Sequence, residues 1–408
     1  MTDTLRDLLR ESVADADMPD VAELAWAAGG RVRRRRATSA VAGVAAVALV
    51  VGGVVWAADQ RGTDRAVRPV ESPSPTAPGT PYQREDRADG EFHGTSVWWA
   101  PSVAEESSLP AFPGSPLPRT IDLSSSTLPF AGTRVGRALA AYAVYDADGQ
   151  VEGVEVLGDD GLLRRIELGA HPAAVKPMRD PEGNLRIRAG SSMLSPSGEY
   201  LMFPQDGSIR LLRLRDQQWS TIDTRSHPTW DATWADDPSD QIVLWDPERP
   251  SASAPVYDVT GGRTAHPGEA TDFLVPRWDG DIYGLPRRSP NGSLAQSYTA
   301  GLDVPQPPSL RLSPRQSDAI GIASAPDAML VLPQEQARQK QCCQVVGWLD
   351  RYTLVYESRS SDGLRLVAWR VGSGRFWQVS QVAGWTLGTD VVVSSYADLF
   401  PPEDCCSG

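Results

Sequence analysis

Three of the four histidines stand directly before a proline, at similar points of a repeated pattern. His171, His227 and His266 end the segments RIELGAHP, TIDTRSHP and VTGGRTAHP, and the last two histidines are 39 residues apart. Imidazoles that a repeat brings to one face could bind a transition metal. The alternative is structural, because proline favours an extended residue before it and cannot continue a strand's hydrogen-bond ladder. We adopt the structural interpretation and predict no metal site, with these histidines as the remaining metal candidates.

The four cysteines form two adjacent pairs, Cys342 with Cys343 and Cys405 with Cys406. Bonds between the two pairs are favoured over bonds between chain neighbours, because a vicinal disulfide strains the backbone. Closing a loop of about 60 residues would contribute roughly 4 kcal/mol in the chain-entropy model. We therefore predict structural disulfides, while all three connectivities stay open. A redox or metal-binding thiol cluster is the alternative, but the C-x-x-C spacing is absent.

No catalytic motif stands out. A serine nucleophile needs a neighbouring histidine and carboxylate, and the G-x-S-x-G elbow is missing. Glycine-rich phosphate loops are also absent. We therefore predict no catalytic residues, no cofactor and no enzyme activity, with an envelope hydrolase as the least favoured alternative.

The histidines and cysteines all lie after a candidate membrane anchor in the sequence. Residues 37–58 (ATSAVAGVAAVALVVGGVVWAA) carry no charge, and at 1.5 Å per residue they span a hydrocarbon core of ~30 Å. Five arginines lie between positions 31 and 36, so the positive-inside rule places residues 1–36 in the cytoplasm. A cleaved signal peptide would have a shorter apolar region behind a shorter start. We predict a single-pass protein of the bacterial plasma membrane with an extracytoplasmic C-terminal domain.

Composition separates the regions beyond the anchor. Residues 59–91 are polar, and their centre VESPSPTAPGTP predicts a semi-rigid polyproline linker. Residues 1–58 contain seven acidic and seven basic side chains, so the net charge of −13 belongs to residues 59–408. An acidic domain of this kind is not attracted to nucleic acid, which excludes that class of partner.

Self-similarity predicts the fold of residues 92–408. Units near 40 residues recur, as MLSPSGEYLMF, TWADDPSDQIVLW and GWLDRYTLVYE show. In one unit, strands are expected around Tyr200–Phe203, Ile209–Leu214 and Trp219–Ile222, separated by turns at Asp206-Gly207 and Gln217-Gln218. Such units describe an all-β propeller of about seven four-stranded blades, with six as the alternative number and a pair of β-sandwiches as the alternative fold. Either Thr389–Ser395 or Ser96–Trp99 could complete a blade from the other terminus.

The segment LSPSGEYLMFPQDGSIRLLRL (Leu194–Leu214) resembles the Ser-Pro-Asp-Gly repeat of TolB-like and WD40-like propellers, with Ser197 in place of aspartate. The full order of short head, anchor, linker and repeats looks like a group of actinobacterial single-pass membrane proteins with such a propeller outside the cytoplasm. The resemblance implies a non-catalytic binding or scaffold protein whose partner is a protein, a peptide or an envelope component. The alternative is a transmembrane signalling regulator similar to those that hold sigma factors, without zinc, because residues 1–58 contain neither His nor Cys.

Overall fold

The structure is a computed structural model. It describes residues 82–83, 86–125, 127–146, 150–169, 175–179, 183–225, 227–235, 240–244, 254–263, 281–300, 317–323, 327–333, 338, 342–361, 363–384 and 394–400. The chain divides into two compact units, Met1–Ser74 and Pro75–Gly408, and all the described residues belong to the second unit. Within them there is no helix of the length and hydropathy that crossing a membrane requires. The predicted head, the predicted span 37–58 and most of the predicted linker lie outside the described residues.

The described elements are short strands and one helical turn, α1 (Val103–Glu106). In chain order the strands are β1 (Tyr82–Gln83), β2 (Gly90–Phe92), β3 (Thr95–Trp99), β4 (Thr120–Asp122), β5 (Leu128–Pro129), β6 (Ala138–Tyr145), β7 (Val151–Gly158), β8 (Leu163–Glu167), β9 (Met178–Arg179), β10 (Leu185–Arg186), β11 (Tyr200–Gln205), β12 (Ser208–Arg213), β13 (Gln218–Asp223), β14 (Ala232–Trp234), β15 (Ile242–Leu244), β16 (Val256–Tyr257), β17 (Asp281–Arg288), β18 (Leu294–Ala300), β19 (Ser317–Ala323), β20 (Ala328–Pro333), β21 (Val345–Trp348), β22 (Thr353–Ser360), β23 (Gly363–Arg370), β24 (Arg375–Ala383) and β25 (Ser394–Tyr396).

The strands form five sheets of three or more strands in the described part of the chain. Sheet I has the order β25-β6-β7-β8-β5, sheet II is β11-β12-β13 and sheet III is β14-β15-β16. Sheet IV has the order β17-β18-β19-β20-β3-β2, and sheet V is β1-β24-β23-β22-β21 with β4 also paired to β24. The arrangement is all-β and propeller-like with five blades, so the expected number of seven, or six, is wrong. Five separate sheets also differ from the two pairs of facing sheets of the sandwich alternative.

The blade number was overestimated because the first fifty residues of the domain build no sheet of their own. Strand β3 adds to β20, β4 adds to β24 and β5 adds to β8, each in parallel to its neighbour, and β2 then pairs with β3. A sheet edge presents unpaired N–H and C=O groups, so it readily accepts another strand. The sheets consequently hold from three to six strands instead of a uniform four. Strand β1 lies before residue 92 and β2 begins at Gly90, so sheet structure begins inside the predicted linker 59–91.

Strand β25 closes the order of sheets from the C-terminal side. Ser394, Ser395 and Tyr396 pair with Tyr142, Ala141 and Ala140 of β6, so the C-terminal strand becomes the first strand of sheet I. This matches one of the two closures that the sequence suggested, since β25 begins within Thr389–Ser395. The other suggested strand, Ser96–Trp99, lies in β3 and joins sheet IV instead.

Four of the six apolar clusters in the described residues join the faces of two sheets, and the other two lie on sheet IV and on sheet III alone. One contains Val154 of sheet I with Phe203 of sheet II, and another contains Met202 of sheet II with Trp234 of sheet III. A third unites sheets V and I, and a fourth unites sheets IV and V around the fully buried Trp369. Burying apolar surface contributes about 25 cal/mol per Å², and a single thin sheet has no other place to bury its faces. The sheets are therefore stable only as a stacked series.

The repeated unit itself is confirmed in sheet II. Strands β11, β12 and β13 cover the three predicted strands, and Gly207 sits in the first predicted turn with a φ of 69°. Gly198 of the Ser-Pro-Ser-Gly turn has a φ of 77°, and a Cβ there would clash with the carbonyl oxygen of Ala138. The carbonyl oxygen of Gly198 also accepts a hydrogen bond from the Ala138 amide at 2.8 Å. Glycine is thus required where this turn meets sheet I.

We predict that Ser395→Ala destabilises the domain by about 1–3 kcal/mol. The Ser395 hydroxyl accepts a hydrogen bond from the Leu194 amide at 3.0 Å and donates one to the Ser191 carbonyl at 2.6 Å. Its loss leaves the buried Leu194 amide and the half-buried Ser191 carbonyl without these partners. Urea unfolding of the full chain in detergent, followed by tryptophan fluorescence, measures the effect. Ser220→Ala on the exposed β13 strand is the matched control, and equal midpoints for the two variants would contradict the role of β25 as the closing strand.

Candidate functional site

A buried polar cluster joins the closing strand to sheet V. We call it the inner polar cluster, and it consists of Gln344, Glu357, Arg359, Ser394 and Tyr396. Glu357 and Arg359 are two residues apart on β22, so their side chains leave the strand on the same face. Ser394 and Tyr396 are likewise two residues apart on β25. Because side chains two residues apart share one face of a strand, β22 and β25 each contribute two polar side chains to the cluster.

Glu357 is the centre of this cluster and is completely buried. Arg359 donates to its Oε2 atom from Nε at 3.0 Å and from Nη2 at 2.7 Å. Tyr396 Oη donates to its Oε1 atom at 2.6 Å, and the Ser394 hydroxyl donates to the same oxygen. Four hydrogen bonds thus reach the two carboxylate oxygens. They replace the hydration that the carboxylate loses on burial, which would otherwise destabilise the fold.

The remaining contacts hold Ser394 in place. Gln344 Nε2 donates to the Ser394 hydroxyl at 2.9 Å and to its carbonyl at 3.1 Å, and Arg359 Nη2 lies 3.1 Å from the hydroxyl. Burial disfavours the Arg359 cation, but the charge of Glu357 raises its pKa above the ordinary value. Burial, and then the same carboxylate, raise the pKa of the Tyr396 phenol. Arg359 is therefore held as a cation, and the Tyr396 phenol keeps its proton for the hydrogen bond to Glu357.

The hydrogen bonds of the inner polar cluster attach β25 to sheet V. Ser394 and Glu357 are types that occur in hydrolases, but a serine nucleophile needs a base with a free lone pair for its proton. Here Glu357 already receives hydrogen bonds from three side chains. In the described residues no hydrogen bond joins a histidine side chain to the cluster. Its groups are engaged in fixing β25 against sheet V.

Of the predicted metal candidates, only His227 lies in the described residues. It is half-buried, it follows β13, and its amide donates to the Thr224 carbonyl at 3.2 Å. The His227-Pro228 pair thus follows the last strand of sheet II, and the structural interpretation of the histidines stays a prediction. His171 and His266 lie outside the described residues, so a shared histidine face remains a sequence-based hypothesis.

Two of the predicted cysteines, Cys342 and Cys343, are fully buried just before β21 and are bonded to each other as chain neighbours. The Cys342 amide donates to Asp318 Oδ2 at 3.1 Å, and the Cys343 amide donates to Tyr283 Oη at 3.2 Å. Both sulfurs and an Asp318 oxygen lie within 4.8 Å of one another, as zinc ligands would. Sulfurs that are bonded to each other are not thiolate ligands, so this group is a structural staple. Cys405 and Cys406 lie outside the described residues. The bond between the neighbours Cys342 and Cys343 differs from the bonds between the two pairs that the sequence favoured.

A second polar group surrounds the Ser-Pro-Ser-Gly turn of sheet II. The Ser197 amide donates to Asp240 Oδ1 at 3.1 Å, and the Ser197 hydroxyl donates to Oδ2. Asp240 comes from the turn of sheet III, and it supplies the carboxylate that this turn lacks because Ser197 replaces aspartate. Asp240 itself has a φ of 53°, in the left-handed region. Burial raises the pKa of Asp240 to about 6.

Sequence reasoning grouped two tetrapeptides of this kind through the repeats MLSPSGEYLMF and TWADDPSDQIVLW, but it missed a third at Ser289–Gly292. Gly198, Asp240 and Gly292 all have positive φ, and they end the tetrapeptides Ser-Pro-Ser-Gly, Asp-Pro-Ser-Asp and Ser-Pro-Asn-Gly. In the third turn the Ser293 amide donates to the Ser289 hydroxyl at 2.9 Å, as the Tyr200 amide does to Ser195 at 3.2 Å. A search for proline followed two residues later by Gly, Asn or Asp finds all three tetrapeptides, because those residue types tolerate positive φ best.

The Arg287–Asp398 pair joins sheet IV to the segment after β25. Arg287 Nη1 lies 3.3 Å from Asp398 Oδ1, and its Nη2 donates to the Tyr396 carbonyl. Trp348 Nε1 in turn donates to the Arg287 carbonyl at 3.0 Å. These bonds connect sheets IV and V to the closing strand, so β25 is held from two neighbouring sheets.

Comparisons with known proteins leave the family open. No family model matches the chain, and no curated protein matches it. A solved structure assigned as TolB from Agrobacterium tumefaciens is 13% identical, over 60% of this chain and 70% of that one, with a TM-score of 0.27.

Two further solved structures are similar over comparable lengths. The β-propeller domain of Cps50 (Swd1) from Myceliophteria thermophila is 16% identical over 62% of this chain and 88% of that one, with a TM-score of 0.25. An exported protein from Bacteroides fragilis is 7% identical over 64% and 79%, with a TM-score of 0.28. At such TM-scores these likenesses carry no argument, and the propeller-like description depends on the five sheets of this chain.

We predict that Glu357→Gln destabilises the domain by about 3–5 kcal/mol, since it leaves the Arg359 cation without its buried counter-charge. Glu152→Gln is the control, because Glu152 forms an exposed ion pair with Arg165. Urea unfolding of the full chain compares the two variants. A second variant, Glu357→Gln with Arg359→Met, should recover part of the loss. Equal stabilities for Glu357→Gln and the control would show that the inner polar cluster does not anchor β25.

The raised pKa of Asp240 predicts that the stability of the domain depends on pH. Its folded-state pKa of about 6 lies above the ordinary value of 3.8, so the folded protein holds a proton that the unfolded chain releases between those pH values. Its contribution to stability is present at acid pH and is lost as the pH rises through about 6. Asp240→Asn removes this titration. The variant should therefore gain stability relative to the parent between about pH 4 and pH 7, by up to about 3 kcal/mol. Parallel stability curves for the two proteins would refute the assignment.

Proposed function

We propose that this chain is a single-pass protein of the bacterial plasma membrane that presents a non-catalytic binding domain outside the cytoplasm. The uncharged segment 37–58 behind its arginine cluster supports the anchor and the orientation. The five-bladed, propeller-like domain fits a binding or scaffold role, because stacked sheets leave their turns and outer edges as a broad rigid surface.

The observation that carries the non-catalytic assignment is the state of the inner polar cluster. Its carboxylate, hydroxyls, amide and guanidinium hydrogen-bond to one another, with Glu357 at the centre. Polar groups used in this way stabilise a closing strand and leave no free base. The binding surface is accordingly expected on the outside of the domain, where Leu185 and Tyr352 are each 54% exposed.

The partner we propose is a protein or peptide of the cell envelope. A net charge of −13 for the chain disfavours nucleic acid, and large exposed apolar side chains are typical of contacts with proteins. A binding role also distinguishes this proposal from a signalling role, because a binder does not need residues 1–30 for its contacts outside the cell.

Photo-crosslinking in intact cells tests the proposal. A photoreactive amino acid at Leu185 or Tyr352 should yield discrete crosslinked products, while one at the buried Val355 should not. Deleting residues 2–30, with the arginine cluster retained, should leave the products unchanged. Protease added to spheroplasts should degrade the domain in both proteins, as a control for orientation. Loss of the products on deletion of the head would instead indicate a transmembrane regulator, and protection from protease would refute the orientation.

A further inference from the structure

A cleft lies at the outer border of sheets I and II. It is formed by the loop after β5 and by the turn between β12 and β13, and its volume is about 530 Å³. This volume is within the range of sites that bind small molecules or short peptide segments. The lining residues are Gly132, Thr133, Arg134, Arg215, Asp216 and Gln217.

Gln217 fixes the two walls of the cleft relative to each other. Its Nε2 donates across the cleft to the Phe130 carbonyl at 2.6 Å and to the Thr133 carbonyl at 2.8 Å. Gln217 has a φ of 59°, which is unfavourable for a residue with a Cβ and must be stabilised by its surroundings. The walls are therefore held by specific contacts, and the cleft is a defined feature of the surface.

The cleft carries two unpaired cations. Arg134 and Arg215 are exposed, and neither side chain has a hydrogen bond or an ion pair with the described residues. The one carboxylate of the cleft, Asp216, is already bound by Arg213 Nε at 2.8 Å and by Arg213 Nη2. The cleft is thus locally positive on a chain whose net charge is −13. Arginine binds carboxylates in a bidentate manner, so this charge selects for acidic groups.

A free strand edge begins beside the cleft. Strand β13 starts at Gln218, directly after Gln217, and among the described strands it pairs only with β12. Its residues Ser220 and Thr221 are exposed. An extended peptide can add to such an edge through main-chain hydrogen bonds, which a phosphate polymer or a lipid headgroup cannot form.

We propose that the cleft and the β13 edge bind an extended acidic segment of a partner protein. The segment adds to β13 as a further strand, and its carboxylates pair with Arg134 and Arg215. This inference rests on the proposed binding function and names the chemistry of the partner.

Fluorescence anisotropy with the full chain in nanodiscs tests the inference. The probe is a short fluorescein-labelled peptide that alternates glutamate with valine, and the matched peptide has glutamine in place of glutamate. The first peptide should bind at least about tenfold more tightly, because charge-assisted hydrogen bonds to two arginines are lost in the second. Binding should weaken with added salt, as expected for exposed charges.

Two variants locate the site. Arg134→Gln combined with Arg215→Gln should weaken binding of the acidic peptide at least about tenfold without moving the unfolding midpoint, since both side chains are exposed. Arg351→Gln is the control, because Arg351 is also exposed but lies in the turn between β21 and β22. An acidic peptide N-methylated at alternate residues should also lose binding, because it cannot complete the hydrogen bonds of an added strand.

Each other outcome overturns the inference in a recognisable way. Unchanged affinity of the double variant would exclude the cleft, and full binding of the N-methylated peptide would exclude strand addition. Arginine-dependent binding of inorganic polyphosphate or of vesicles with anionic lipid, without binding of the peptide, would leave an anion site but reject a protein partner there. If the peptide does not bind while crosslinks at Leu185 or Tyr352 persist, this inference fails and the proposed function stands. If neither peptide binding nor crosslinks at Leu185 or Tyr352 are found, this inference and the proposed function are both rejected.

Discussion

Burying the Glu357 carboxylate in the interior obliges the protein to surround it with hydrogen-bond donors, and those donors come from two different sheets. Arg359 is on the same strand, but Ser394 and Tyr396 are on the C-terminal strand β25. If β25 detached, Glu357 would lose the hydrogen bonds from Ser394 and Tyr396, and a buried charge without partners is costly. The same strand is the first strand of sheet I, so this interaction couples the closure of the domain to the pairing of its sheets.

Strand edges explain the rest of the architecture. The segment from β1 to β5 adds β1 and β4 to sheet V, β2 and β3 to sheet IV, and β5 to sheet I. Helix α1 lies on this route, capped by Ser102 and Glu105, and its Glu106 is buried against Arg338 at 2.6 Å. The N-terminal segment thereby covers edges that would otherwise invite association with other chains. Sheet II keeps an open edge at β13 in the described part of the chain, beside a cleft with unpaired arginines.

The inner and outer regions of the domain therefore use charge differently. Inside, Glu357 with Arg359 and Glu106 with Arg338 are mutually neutralised pairs that fix strands in place. At the outer border, Arg134 and Arg215 have water as their environment and remain available for an incoming group. This difference between the inner and outer charges supports the proposed binding role.

The sequence by itself determined the local structure of this protein, because alternation of apolar residues and turn-forming tetrapeptides are short-range signals. The three strands of sheet II were predicted with nearly their observed bounds, and the glycine of the Ser-Pro-Ser-Gly turn was recognised. Glu357 and Arg359 can be placed on one face of a strand from their spacing alone. The number of blades, the five-sheet order and the pairing of Asp240 with Ser197 were decided only by the tertiary structure. The reason is that strand addition at an edge depends on main-chain hydrogen bonds, which almost any sequence can form, so the residues of β3, β4 and β5 carry no mark of the strand they will join.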